Sequence, residues 1–315
     1  MQTPVLIHLA SLRPESQLAI AQLSTIAPSD VLSMATVVEI LETVEHTPGC
    51  VGLLPVEDSF EGEHTAVLDR LIFETSKVFI SEEVVVSERL DAFRIRTDAR
   101  EDLRVAVSHP KAIEHCHRFV REHGLATRFA GSTTDACRLV AESGDPSLVA
   151  IAPAAAAERY GLIRVMTAVD DVPDARTRFF LVGRSVGVRS ARNRTTLVLT
   201  QPLDRSGNLE RFLRAFADND VNLVSLHSRP LGPLAGSYCF LATAESHIHE
   251  GRMTAVIEAL WEAGAQIKLL GSYPEWEGEH VVAPFDRPPL ASIGPLSDAG
   301  DREQLLHPAA PATTA

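Results

Sequence analysis

The residues with the clearest chemical potential are Thr177, Arg178 and Phe179, which open an apolar run that continues to Val182. They follow an acidic turn over residues 170–174. A hydroxyl and a guanidinium at the start of a predicted strand suit an anionic substrate that must lose a hydroxyl, because arginine holds a carboxylate through two parallel hydrogen bonds. A free threonine hydroxyl is a poor acid, so the chemistry requires a polarising neighbour or a bound water.

Two other polar clusters follow apolar runs, where open α/β sheets place their ligands. The first is Glu57-Asp58-Ser59 after the run 54–56, and the second is Ser108-His109-Pro110. Each also fits a strand-to-helix turn in which Asp58, Ser59 or His109 caps the helix, and from spacing alone that interpretation is favoured.

The elements that must position these clusters alternate between short apolar strands and amphipathic helices over the first 185 residues, which is the α/β pattern. Thr36 and Glu39 have the spacing of a capping box. Ser132 predicts the start of a helix that runs to about Glu142. The predicted strands of this region are 5–9, 50–56, 104–108, 148–152 and 164–169.

After a polar linker (185–194), the order βαββαβ over residues 195–274 predicts a ferredoxin-like sandwich. Its first helix is indicated by apolar residues at i, i+3, i+4 and i+7, namely Leu209, Phe212, Leu213 and Phe216. From residue 275 onward Pro, Ala, Gly and charged residues dominate, so 275–315 is predicted to be a flexible tail.

The N-terminal blocks resemble the catalytic domain of the prephenate dehydratase family. Leu54–Gly62 is similar to the family motif Pro-(Ile/Val)-Glu-Asn-Ser-x-x-Gly, and Ser108–Ala112 is similar to Ser-His-Pro-Gln-Ala. Thr177–Phe179 matches the Thr-Arg-Phe signature at the end of that domain. Similar blocks follow in the family's order from Cys50 to Pro274, for which chance is a poor explanation.

The C-terminal blocks resemble the ACT regulatory module of the same family. His227–Pro230 is similar to its Glu-Ser-Arg-Pro element, and Gly207–Glu210 stands in place of Gly-Ala-Leu-Val. The resemblance therefore implies the α/β class, with a two-lobed, periplasmic-binding-protein-like catalytic region over residues 1–185 and an ACT domain over 195–274. The lobes are expected at about 1–78 plus 165–185, and at 79–164.

The resemblance implies that prephenate loses carbon dioxide and its ring hydroxyl together, giving phenylpyruvate and water without a metal or organic cofactor. Thr177 would donate or relay the proton, Arg178 would clamp a carboxylate, and Phe179 would pack beneath the site. The other residues expected to bind the substrate are Ser16, Glu57, Asp58, Ser59, Ser132, Thr133 and Asp174. An amino-acid effector is expected at Gly207, Asn208, Leu209, His227, Ser228, Arg229 and Pro230, in a homodimer or homotetramer.

The chain departs from the family pattern near the expected substrate. Ser16 alone remains of an opening loop Gly-Pro-x-Gly-Thr-(Phe/Tyr)-Ser, and Asp58 and Asp174 replace asparagines. An ionised aspartate cannot donate a hydrogen bond. It also repels a dianion, since two like charges ~4 Å apart cost roughly 4 kcal/mol at an effective dielectric constant of about 20. Either these aspartates are protonated or turned away, or the ligand is less negative, as arogenate with its ammonium group is.

Three functions stay open at this point. The first is a prephenate dehydratase. The second is a diverged lyase for a related cyclohexadienyl compound, either an arogenate dehydratase or a prephenate decarboxylase. The third is a non-catalytic protein that binds an amino acid. Polar residues in the effector elements, such as His227 and Glu210, also leave the effector's identity open.

The composition narrows the classes of partner. A net charge of −13 argues against nucleic acid, which requires a basic surface. No apolar run approaches the ~20 residues that span a bilayer, and the N-terminus lacks the pattern of a signal peptide. Widely spaced cysteines without CxxC spacing predict reduced thiols in a cytoplasmic protein; they are Cys50, Cys116, Cys137 and Cys239.

Overall fold

The computed structural model describes residues 4–10, 13–28, 30–59, 62–87, 89–97, 102–171, 175–201, 206–231 and 238–281. All of these lie in one compact unit that ends at Val282. Asp174 and residues 282–315 of the predicted tail lie outside the described residues. No helix in the described ranges is long and apolar enough to cross a membrane.

The N-terminal elements build one part of a large mixed sheet. They are β1 (Val5–Leu9), α1 (Arg13–Gln22), β2 (Asp30–Met34), α2 (Val37–His46), β3 (Cys50–Asp58), β4 (Gly62–Glu63), α3 (Thr65–Phe73) and β5 (Phe79–Ser87). Strand β1 pairs in parallel with β2 and β3. The predicted capping box is confirmed, because Thr36 Oγ1 accepts from the Glu39 amide at 3.2 Å and the Glu39 carboxylate accepts from the Thr36 amide at 3.1 Å.

The middle of the chain forms a second, separate sheet with its own helices. The elements are β6 (Asp91–Arg94), β7 (Val105–Ser108), α4 (Pro110–His115), α5 (His117–Glu122), β8 (Ala126–Phe129), α6 (Thr133–Ser143), β9 (Leu148–Ala152), α7 (Ala154–Glu158) and β10 (Ile163–Met166). Their strand order is β10-β6-β9-β7-β8. Ser132 caps α6, as predicted, and accepts from the Asp135 amide at 2.9 Å.

Strand β11 (Arg176–Gly183) brings the chain back into the first sheet, between β3 and β5 and antiparallel to both. The structure therefore corrects the expected lobe boundary after residue 78. All of β5 belongs to the first sheet, because its residues 79–87 are the pairing partners of β11. The expected return at 165 is corrected as well, since β10 still pairs with β6 in the second sheet.

The two segments that join the lobes are tied to each other. The Val169 amide donates to the Leu90 carbonyl at 2.9 Å, and the Leu90 amide donates to Asp170 Oδ1 at 3.1 Å. These bonds hold the outgoing and returning chains side by side at the crossing.

The C-terminal module has the predicted order βαββαβ, which is confirmed. Its elements are β12 (Asn193–Thr200), α8 (Asn208–Ala217), β13 (Leu223–Pro230), β14 (Tyr238–Ala244), α9 (Gly251–Glu262) and β15 (Gln266–Pro274). The strand order β13-β14-β12-β15 is ferredoxin-like. Phe212 and Phe216 of α8 are buried, whereas Leu209 and Leu213 are 36% and 38% exposed, so the apolar face of this helix is wider than the core beneath it.

The module continues the sheet of the first lobe. Strand β15 pairs in parallel with β5 at Gly271 and Ile80, so the described strands of both parts form one ten-stranded sheet. A Cβ atom at residue 271 would lie 2.4 Å from the Ile80 carbonyl oxygen, and this close approach therefore requires glycine. Lys268 strengthens the junction by donating to the Leu71 and Ile72 carbonyls at the end of α3, at 3.0 and 2.6 Å.

Candidate active site

The register of β11 against β3 assembles two of the sequence-predicted clusters. Thr177 is the cross-strand partner of Asp58, and Arg178 is the partner of Glu57. Directly opposed residues of antiparallel strands have Cβ atoms about 4.5–5.5 Å apart and share one face of the sheet. The side chains of Thr177 and Asp58 therefore begin at adjacent positions on one face of the sheet.

Successive residues of β11 point to opposite faces of the sheet. Phe179 packs with Leu6, Ala19 and Leu53 on the face that α1 covers. Phe180 packs with Leu54 and the α2 residues on the other face. By the same alternation, Thr177 shares the α1 face with Phe179, and Arg178 shares the α2 face with Phe180.

On the Thr177 face, a histidine that the sequence analysis did not select lies against Asp58. Nε2 of His64 is 2.9 Å from Asp58 Oδ2, and the two side chains are 25% and 16% exposed. His64 follows β4, and its amide donates to the Val56 carbonyl at 2.9 Å, which fixes the turn. The contact arises from a hairpin register that sequence spacing does not reveal.

Ser59 closes the end of the β3–β11 pair directly beside Thr177. Its amide and hydroxyl donate to the Arg176 carbonyl at 2.9 and 3.3 Å, and its Oγ accepts from the Arg176 amide at 2.9 Å. The Ser59 hydroxyl is thus already engaged in holding the residue that precedes Thr177.

On the opposite face, Arg178 is held by acidic side chains. Its Nη2 lies 2.9 Å from Glu57 Oε2, its Nη1 lies 3.8 Å from Glu83 Oε2, and its guanidinium stacks on the Phe180 ring at 5.3 Å. The structure therefore separates Arg178 from Thr177, although the sequence analysis expected both to meet one substrate.

Glu83 links this face to the C-terminal module. Its side chain is 0% exposed, and its Oε1 accepts from Arg194 Nη1 at 3.0 Å and from the Trp276 amide at 3.1 Å. Arg194 in turn reaches Glu275 at 3.1 Å. A sequence signal for Glu83 does exist, since two adjacent acids interrupt the apolar strand at residues 82–83.

Residues 275–281 are ordered against the first lobe, which corrects the expectation that a flexible tail begins at 275. Trp276 packs beside the cluster that contains Phe179, and Arg176 donates to the Glu279 carboxylate and the His280 carbonyl. The composition of this stretch alone predicted no structure, because the residues that it contacts are distant in the sequence.

The remaining predicted substrate residues are dispersed. Ser16 is buried on α1, while Ser132 and Thr133 lie at the start of α6 in the second lobe. Ser132 Oγ is already used as the helix cap. His109 likewise caps α4 by accepting from the Lys111 amide at 3.4 Å, as the spacing favoured.

Two of the predicted effector residues contact the first lobe. His227 Nε2 is 3.3 Å from Glu63 Oε1, and Arg229 donates to Asp69 Oδ1 at 2.6 Å. Ser228 and Pro230 lie on the same strand, β13, and Gly207 precedes Asn208 and Leu209 at the start of α8 with φ +88°. The first and third residues of the expected effector element thus contact β4 and α3, whereas the second and fourth are exposed.

Within the described ranges, no group of three or more His, Cys, Asp or Glu side chains is arranged to hold a metal ion. Burial raises the pKa of the Cys137 thiol to about 12, so this cysteine is an inert thiol at neutral pH.

The fold and site define a two-lobed α/β protein of the periplasmic-binding-protein-like class, with a ferredoxin-like module joined to its first sheet. The family model of prephenate dehydratase matches residues 16–186, more than half of the chain, and this protein belongs to that family.

Individual relatives agree with this membership. The chain is 29% identical over 281 residues to a prephenate dehydratase of Amycolatopsis methanolica, covering 87% of this chain and 89% of that protein. It is similar to the structure of a prephenate dehydratase from Arthrobacter aurescens in complex with L-Phe, with 28% identity, a TM-score of 0.72 and coverage of 86% and 90%. The Staphylococcus aureus prephenate dehydratase shares the fold with a TM-score of 0.72, at 23% identity and coverage of 87% and 100%.

Proposed function

We propose that this protein is a prephenate dehydratase, a carbon–oxygen lyase of aromatic amino acid biosynthesis that forms phenylpyruvate, water and carbon dioxide. The observation that carries the proposal is the register that sets the Thr177 hydroxyl opposite Asp58 at the end of β3. Membership of the family and the names of the relatives support the same reaction.

The chemistry assigns one demanding step to the protein. The bond between the ring and its carboxylate breaks, the electron pair enters the ring, and the ring hydroxyl departs as the ring becomes aromatic. The departing oxygen must gain a proton to leave as water, and Thr177 donates or relays that proton. Phe179 supports Thr177 from the core, where it is fully buried.

Arg178 has a different role in this proposal from the one that the sequence suggested. Its guanidinium contacts Glu57 at 2.9 Å through Nη2, so it pairs with a side chain of the neighbouring strand on the face opposite to Thr177. We assign Arg178 and Glu57 to positioning β11 against β3, with Ser59 holding the strand end. Ser16, Ser132 and Thr133 remain proposed substrate contacts in the two lobes, and Asp174, which lies outside the described residues, remains one by resemblance to the family motif.

An amino-acid effector at the module is part of the proposal. The Arthrobacter relative is described in complex with L-Phe, and the elements 207–209 and 227–230 of this chain are the proposed effector site. Because His227 and Arg229 contact Glu63 and Asp69, an effector that displaced β13 would disturb the segment beside His64. L-Phe should therefore raise the unfolding temperature and change the KM for prephenate.

We also propose a homodimer or homotetramer. Exposed apolar side chains gather on α8 and on the edge strand β13, as expected of a surface that pairs with another copy. They are Leu209, Leu213, Val224 and Leu226. Sedimentation equilibrium of the purified chain measures this state directly.

The proposed reaction is tested by product analysis of the purified protein with prephenate at neutral pH, against a control without enzyme. Enzyme-dependent phenylpyruvate is the expected product. A non-aromatic keto acid would instead identify a decarboxylase, and turnover of arogenate alone would identify an arogenate dehydratase. Binding of L-Phe without turnover of either compound would indicate a non-catalytic protein that binds an amino acid.

A further inference from the structure

Residues 275–281, which we call the strap, continue from the end of β15 and are bonded to two other parts of the protein. The Glu275 amide donates to the Arg192 carbonyl at 2.9 Å, and the Glu275 carboxylate lies 2.7 Å from Arg192 Nε. The Trp276 amide donates to Glu83 Oε1 at 3.1 Å. The first half of the strap is therefore fixed to the residue before β12 and to β5.

Trp276 shapes the second half of the strap. Its indole Nε1 donates to the Glu279 carbonyl at 3.1 Å, which closes a turn over residues 276–279. Gly278 packs against the indole, since a Cβ atom at this residue would lie 2.6 Å from the ring atoms Cε2 and Cζ2. A larger residue at 278 would displace the ring and open the turn. The turn thus fixes the position of Glu279 and of His280, which follows it.

Arg176, the first residue of β11, is the side chain that the strap holds. Its Nη1 donates to the His280 carbonyl, and its Nη2 donates to the Glu279 carboxylate. The Arg176 side chain is 9% exposed, whereas that of Glu279 is 80% exposed. A guanidinium is always charged in a protein, so its burial requires partners. Within the described residues, both hydrogen-bond partners of the Arg176 side chain belong to the strap.

The main chain of Arg176 is bonded to β3. Its amide donates to Ser59 Oγ, and its carbonyl accepts from the Ser59 amide, both at 2.9 Å. Arg176 is therefore held by its main chain and by its side chain, and Thr177 is the next residue. The direction of the Thr177 hydroxyl depends on the backbone at this end of β11. A displacement of about 1 Å at a reacting group can lower a rate ~10²-fold.

We infer that Arg176 is a positioning residue of the proposed reaction, and that the strap holds it so that the Thr177 hydroxyl is presented to the substrate. The inference rests on the proposed function and adds a positioning element to its site. The strap lies outside residues 16–186, the part of the chain that the family model matches. Arg176 acts through the backbone of Thr177, and its guanidinium requires no contact with the substrate.

The first experiment measures kcat and KM for prephenate at neutral pH, with a control without enzyme. Arg176→Gln should lower kcat by about 10- to 100-fold and change KM by less than about threefold, because the hydroxyl is present but misplaced. Arg176→Lys keeps the charge and one possible contact with the strap, so it should recover part of this loss.

A matched pair of variants tests the strap itself. Glu279→Ala removes the carboxylate that binds Arg176 and should lower kcat in the same direction, by a smaller factor than Arg176→Gln. Glu277→Ala is the control, since Glu277 is an exposed acid of the strap that forms no ion pair among the described residues. Equal kcat values for Glu279→Ala and Glu277→Ala would overturn the role of the strap.

The decisive experiment is a double-mutant cycle of Arg176→Gln and Thr177→Ala. If Arg176 acts through the Thr177 hydroxyl, glutamine has little further effect once that hydroxyl is absent. The kcat of the double variant should then equal that of Thr177→Ala within about twofold. Effects that multiply, as those of independent sites do, would overturn the inference. A loss in Arg176→Gln that is carried by KM alone would overturn it as well.

Amide hydrogen exchange provides a readout that does not depend on turnover. Peptides that cover β11 should exchange faster in Arg176→Gln and Glu279→Ala than in Glu277→Ala and the unmodified protein, because the strand end is then less firmly held. If the unmodified protein forms no phenylpyruvate, the proposed function fails, and faster exchange still supports positioning of β11 by the strap. Unchanged exchange would overturn the inference. If circular dichroism shows that Arg176→Gln does not fold, Glu279→Ala takes its place in the double-mutant cycle.

Discussion

The two faces of β11 differ in what they offer a ligand. On the α1 face, Thr177 is beside the Asp58–His64 pair, whose members remain partly exposed. On the α2 face, Arg178 is enclosed by Glu57, Glu83 and the Phe180 ring. One strand thus presents a hydroxyl beside a carboxylate and an imidazole on one side, and an arginine paired with acidic side chains on the other.

This difference teaches how a motif of three residues can combine two tasks. The alternation of a strand sends neighbouring side chains to opposite faces, so adjacency in Thr-Arg-Phe does not mean a shared site. The arginine fixes the strand through the network, and the network reaches the C-terminal module through Arg194 and Trp276. We expect substitutions on the α2 face to lower the free energy of unfolding, and substitutions on the α1 face to lower the catalytic rate.

The largest effect on stability is expected from Glu83→Leu. The substitution leaves Arg178 and Arg194 each without one buried partner, which should lower the free energy of unfolding by about 3–5 kcal/mol. Urea denaturation measures the change. The matched control is Glu210→Gln on the surface of α8, whose exposed pair with Arg214 should contribute little to stability. A Glu83→Leu variant as stable as this control would contradict the structural role assigned to the α2 face.

A smaller effect is expected where β15 meets β5. Gly271→Ala places a methyl group against the Ile80 carbonyl, at 2.4 Å in the unrelaxed geometry. Overpacking of this kind should cost about 1–3 kcal/mol. Gly251→Ala, where an added Cβ meets no atom within 4 Å, is the control. Equal free energies of unfolding for Gly271→Ala and Gly251→Ala would contradict the close packing of β15 against β5.

The smallest effect concerns the crossing between the lobes, away from both faces of β11. Burial raises the pKa of the Asp170 carboxyl above its ordinary value of 3.8. A raised pKa in the folded state means that Asp170 contributes stability at pH below 3.8, and that this contribution is lost as pH rises through the folded-state pKa. Asp170→Asn should therefore be the more stable protein at pH 7, by less than about 1 kcal/mol, and the gain should shrink toward pH 4. Thermal unfolding at both pH values checks the sign, and a gain that grows on acidification would contradict it.

Local patterns in the sequence predicted most of the elements. Capping at Thr36, Ser132 and His109 depends on residues two or three positions apart, and the βαββαβ order depends on periodicity, so both could be predicted from the sequence alone. The lobe boundary was misplaced because an apolar run such as β5 does not indicate which sheet it joins.

The candidate site was less accessible to sequence. Opposition of Thr177 and Asp58 depends on strand register, and the contact of His64 with Asp58 depends on the turn that follows β4. The partners of Trp276 and Glu275 lie about 80 to 190 positions earlier in the chain, so their composition suggested a tail. In each case the missing information was tertiary contact rather than residue type.

The central claim is that Thr177 acts in chemistry while the opposite face maintains the structure. The most direct test is phenylpyruvate formation from prephenate at neutral pH by the unmodified protein, Thr177→Ala and Thr177→Ser, with urea denaturation of each. The account predicts that alanine lowers kcat by about 10²- to 10⁴-fold while the free energy of unfolding changes by less than about 1 kcal/mol, and that serine restores part of the rate. Undiminished turnover by a folded Thr177→Ala variant would contradict it.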